Sequence, residues 1–91
     1  MLNKKIDKKA IEELFELIAS LKDSEEVELL FEDLCTVKEV EQMAQRIKAA
    51  KLLREGKTYQ QVIEECDISS ATLSRVSRCL QYGNGYTKYL K

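Results

Sequence analysis

Apolar residues recur at three- and four-residue spacing along this chain, which predicts helices. Between about Asp7 and Lys22 the stripe is Ile11, Leu14, Phe15, Ile18 and Leu21, with Glu12, Glu13 and Glu16 elsewhere on the circumference. Asp23-Ser-Glu-Glu26 marks a second start, an acidic residue followed three places later by Glu, and leads into Val27, Leu30, Phe31 and Leu34. Thr36-Val-Lys-Glu39 is a capping box, so a third helix is expected from Thr36. Val37, Val40, Ala44, Ile47 and Ala50 or Lys51 mark one face of it, and Gly56 offers a left-handed stop about twenty residues on. At ~1.5 Å per residue such a helix spans ~30 Å, long enough to be a scaffold for other helices or for a second subunit.

The next segment changes character. Thr58-Tyr-Gln-Gln61 is another capping box, Val62 and Ile63 are the expected core anchors of a short fourth helix, and Cys66-Asp67-Ile68 forms a turn. Asp67 stands where a left-handed residue is expected. Ser69 caps a fifth helix running to about Tyr82, and Gly83-Asn84-Gly85 ends it before a last helical turn over 86–91. Two short helices around a tight turn are the sequence form of a helix-turn-helix. Ile68, Leu73, Val76 and Leu80 point inward, which leaves Ser70, Ala71, Ser74, Arg75 and Arg78 on the opposite face. Small residues let that face approach a groove floor, and the two arginines suit guanine edges or phosphates. Tyr59 and Gln60, opening the fourth helix, are phosphate-contact candidates or half-packed surface.

Charge agrees in its distribution more than in its total of -1. Residues 1–35 carry five lysines against ten acids, whereas residues 36–91 carry ten basic and six acidic residues. From Ser69 onward there are Arg75, Arg78, Lys88 and Lys91 and no acid. Phosphates feel the local field within a Debye length of ~8 Å, so the C-terminal part is the one suited to nucleic acid. Lys4, Lys5, Lys8 and Lys9 read first as a solvated terminus and second as a basic arm. Cys35, Cys66 and Cys79 are odd in number and far apart, and the chain has no histidine, which argues against a zinc site and for free thiols in a reducing cytoplasm. No apolar run approaches the ~20 residues of a membrane span, no signal peptide is expected, and no catalytic constellation stands out. No cofactor is expected.

With these residues in view, the chain resembles the Trp-repressor superfamily, most closely its Trp-repressor-related YerC/YecD branch. The match lies in Leu52-Leu-Arg-Glu-Gly56, Thr58-Tyr-Gln-Gln-Val-Ile63 and Ile68-Ser-Ser-Ala-Thr-Leu-Ser-Arg-Val-Ser-Arg-Cys-Leu80. The resemblance implies an all-α fold of five to six helices, a single domain over 1–91 with dimerisation helices over about 1–56 and a helix-turn-helix over about 58–82. It further implies an intertwined homodimer presenting two recognition helices ~34 Å apart to double-stranded DNA. Of the positions that hold tryptophan in the repressor proper, Thr72 and Arg75 match in type. Val76 stands for a glycine there, Cys79 for a serine and Gln45 for an arginine, so tryptophan is not expected to be an effector. The expected function is sequence-specific DNA binding by a homodimeric transcription regulator of bacterial type, with Ser70, Ala71, Ser74 and Arg75 reading the groove and Thr72 and Arg78 near phosphates. The alternative is a protein-interaction module that keeps the fold without specific DNA binding.

Overall fold

A computed structural model describes residues 6–91. Six helices account for the regular structure of the described residues: α1 Lys8–Ala19, α2 Ser24–Leu34, α3 Val37–Arg54, α4 Tyr59–Glu65, α5 Ser70–Tyr82 and α6 Gly85–Tyr89. The lysine cluster, read first as a solvated terminus and second as a basic arm, falls partly outside them, since Lys4 and Lys5 precede residue 6. Among the described residues no helix is long and apolar enough to cross a membrane. The chain divides into two compact units, Met1–Thr36 with α1 and α2, and Val37–Lys91 with α3 to α6.

In the first unit, side-chain caps set where each helix begins. The Asp7 carboxylate accepts from the Ala10 amide at 3.0 Å and the Asp23 carboxylate from the Glu26 amide at 3.0 Å, satisfying donors that have no partner inside a helix. Glu26 reaches back, but to the Lys22 amide at 2.7 Å, one residue before the cap. α1 stops at Ala19, short of the expected Lys22. Neither α1 nor α2 buries a residue fully: Phe15 is 63% exposed and Leu29 65% exposed.

The second unit holds the core. Ala49, Val62, Cys66 and Leu73 are buried together, with Leu52, Leu53 and Ile68 packed against them. α3 packs on both α4 and α5, and α6 packs on α5. Of the face of α3 expected to pack, only Ala50 is buried. Val37, Val40 and Ile47 are exposed, while Ala49 and Ala50 are fully buried. The reason is steric: alanines let two helices approach α3 closely, so the small residues face the core and the large ones do not. Ile63 likewise is not an anchor. The inward line runs from Val62 in seven-residue α4 to its C-cap Cys66, four residues on, and Ile63 lies to one side of it, 37% exposed.

Local signals fix the junctions of this unit. Gly56, at φ 94°, ends α3 with the Lys57 amide bonded to the Leu52 carbonyl at 3.1 Å and the Gly56 amide to Leu53 at 3.0 Å, a Schellman arrangement. The capping box at Thr58 and Gln61 is complete in both directions, at 2.9 and 3.1 Å. Ser69 Oγ accepts from the Thr72 amide at 3.1 Å and starts α5. Asp67, however, is not left-handed, because no residue other than glycine among those described has positive φ. The turn closes instead through the Ile68 amide to the Cys66 carbonyl at 3.0 Å, a three-residue turn that needs no left-handed residue.

Candidate nucleic-acid interface

α5 presents two faces that its sequence keeps apart. At about 100° per residue, Ala71, Ser74, Arg75, Arg78 and Tyr82 fall within about 60° of one line along the helix. All five are exposed, whereas Leu73 and Val76 on the opposite side are buried. The same five line one shallow cleft of about 450 Å³ together with Cys79 and Gly83. Small side chains occupy its N-terminal end, two guanidinium groups its middle, and an 80% exposed tyrosine its C-terminal end. The face carries positive charge and hydrogen-bonding capacity without an acid on its own helix.

Ser70 is also exposed, at the first position of α5 and beside that line. Thr72 is half-buried, and its hydroxyl accepts from Ser69 Oγ at 3.0 Å, so it is partly committed to the helix start. Thr72 and Arg75 meet Arg46, Val76, Cys79 and Tyr86 around a second cleft of about 770 Å³, between α3, α5 and α6. A third hollow of about 350 Å³ lies between the N-terminal half of α3 and the start of α5, lined by Gln45, Arg46, Asp67 and Thr72 among others. Tyr59 and Gln60 line none of these clefts. Both are exposed on α4, and Gln60 Nε2 donates to Glu64 one turn on, at 3.2 Å.

Two cationic or aromatic contributors escaped the sequence reading. Arg46 comes from α3 and joins the α5 arginine only through tertiary packing. Tyr82 was legible: it follows Arg78 by four residues and Arg75 by seven, on the same helical line. The cysteines are free, with Cys66 buried and Cys35 and Cys79 half-buried. Burial pushes the Cys66 thiol above its ordinary value; the Lys48 ammonium opposes this and the Glu65 carboxylate adds to it.

Comparison with known proteins agrees with this architecture. The sequence pattern of the Trp repressor protein family matches residues 9–91. The uncharacterized protein YerC of Bacillus subtilis strain 168 is 50% identical over 80 residues, which cover 88% of this chain and 77% of YerC. A crystal structure of a TrpR-like protein from Eubacterium eligens ATCC 27750 superposes with a TM-score of 0.80 at 47% identity, over 91% of this chain and 86% of that one. A candidate Trp repressor from Staphylococcus aureus superposes with a TM-score of 0.82 at 43% identity, over 96% and 88% of the two chains.

Proposed function

The chain belongs to the Trp repressor protein family, and from that premise we propose that it is a homodimeric regulator of transcription that binds specific double-stranded DNA through α4 and α5 as a helix-turn-helix. The observation that carries the reading is the continuous exposed line Ala71, Ser74, Arg75, Arg78 on α5, small where the backbone must come close and cationic beyond. Arg75 and Ser74 address base edges, Ser70 and Ala71 allow the approach, and Arg78 and Thr72 hold phosphates. Tyr59 and Gln60 at the start of α4 stand near the backbone of the same duplex. The unburied apolar residues of α1 and α2 are matched by a second copy of the chain.

The test is fluorescence anisotropy against a pool of genomic fragments, followed by recovery of the bound ones. Affinity is expected to fall steeply with salt as counterions are released. Arg75→Ala is expected to cost ~1–3 kcal/mol on the selected site and to relax its sequence preference. Binding to the pool no tighter than to random DNA, or indifference to Arg75→Ala, would favour the protein-interaction reading.

L-Tryptophan is not expected to act as an effector. The buried Val76 side chain stands at the floor of the second cleft, beside Cys79, where an indole would need room. Calorimetric titration of the amino acid should give no saturable heat at micromolar concentration, and a clear isotherm there would refute the expectation.

A further inference from the structure

The turn between α4 and α5 is held from outside by two side chains of α3. Lys48 Nζ donates to the Glu65 carbonyl at 3.1 Å, in the last turn of α4, where a helix leaves its carbonyls without partners. Gln45 Oε1 accepts from the Asp67 amide at 3.1 Å, just past the helix end. These two contacts lie on either side of buried Cys66, whose amide bonds to the Val62 carbonyl at 2.8 Å and whose carbonyl accepts from Ile68 at 3.0 Å. Gln45, Lys48, Ala49 and Leu52 share one line of α3, so the polar pair sits directly N-terminal to the alanine and leucine that pack on α4 and α5. The Glu65 and Cys66 carbonyls and the Cys66, Asp67 and Ile68 amides are therefore all bonded to groups of the chain itself.

We infer that Gln45 and Lys48 are positioning residues, a clasp that fixes the turn between α4 and α5 on α3 and with it the direction in which α5 leaves. Apolar contact through Ala49 and Leu73 is non-directional and by itself opposes rotation of one helix on another less than a directional bond does. Two hydrogen bonds one helical turn apart on α3, to backbone groups two residues apart in the turn, are directional and oppose that rotation. The exposed face of α5 then projects at one angle from α3. The consequence for DNA rests on the reading proposed above, whereas the clasp itself does not.

The test uses the full chain carrying Gln45→Met, which keeps length and helix propensity but removes the acceptor, and Gln45→Glu, which keeps an acceptor. Amide hydrogen exchange at Asp67, followed by NMR, is expected to quicken by roughly threefold to tenfold in Gln45→Met and to return towards wild type in Gln45→Glu. DNA affinity of Gln45→Met should fall by a similar factor while the slope of affinity against salt stays that of wild type, since no phosphate contact has been removed. Unaltered exchange at Asp67 in Gln45→Met overturns the clasp. Faster exchange with unaltered DNA affinity overturns the positioning role. Failure of the wild-type chain itself to bind DNA counts against the functional reading, and exchange at Asp67 then decides the clasp alone.

Discussion

Cys66 shows how one residue serves the core and the turn together. Its side chain is packed with Ala49, Val62 and Leu73, and its backbone closes the turn that leads into α5. Because burial is the first cause of its raised thiol pKa, the neutral thiol is the form the folded protein prefers. Below the ordinary value of 9.0 the thiol is neutral in folded and unfolded chains alike, and its contribution to stability is fully present. Above that value the unfolded chain releases its proton first, so stability declines as pH rises towards the folded-state value. Cys66→Ala is expected to lower stability by about 1–2 kcal/mol at neutral pH and to flatten the decline above pH 9.0, read from urea unfolding across pH. An equally steep decline in the variant would assign the effect to other groups. Sequence spacing pointed to Val62 and Leu73 as core, but could not separate Ile63 from Val62. That choice depends on which side of a two-turn helix its neighbours occupy, and nothing local encodes it.

At the scale of elements, helix ends were legible and helix faces were less so. Capping is local chemistry: Thr58 with Gln61, Ser69 with Thr72, and Gly56 at positive φ each act within a few residues, so their positions in sequence already locate α4, α5 and the end of α3. The face of α3 that packs is a tertiary property, because both of its candidate faces carry apolar residues and the decision falls to the small ones. Helix α4 depends on its cap more than α3 or α5 does, since seven residues are too few for a helix to persist alone. Thr58→Ala removes the acceptor for the Gln61 amide and loosens the reciprocal Gln61 contact. We expect a loss of about 1 kcal/mol, or about 4–8 °C in thermal midpoint at fixed protomer concentration. A midpoint within a degree of wild type would mean that packing of Val62 and Cys66 suffices to hold α4.

For the whole molecule, the distribution of burial is the decisive quantity. The unit Val37–Lys91 has its own core, while α1 and α2 are amphipathic and bury no residue fully. On α3 the apolar face left outside that core includes Val37, 76% exposed, and Ile47, 45% exposed. A buried side chain of this size stabilises by about 1.5–3 kcal/mol, so several such residues left in water form a large unmet driving force. In the proposed homodimer a second copy supplies an apolar face of the same kind and places two α5 faces on one assembly, as a two-fold symmetric DNA site would require. Sedimentation equilibrium of the wild-type chain is therefore expected to give twice the chain mass of 10.5 kDa at micromolar concentration. The double variant Phe15→Glu/Leu29→Glu puts carboxylates where apolar surface would be covered. Burying an unpaired charge costs several kcal/mol, so the pair of substitutions should shift the equilibrium to single chains. Circular dichroism should retain the signal of α3 to α5, whose core contains neither residue, and binding to a two-half DNA site should weaken far more than binding to one half. A wild-type chain that sediments at 10.5 kDa, or a double variant that stays paired, would show that α1 and α2 are not the surfaces through which two copies meet.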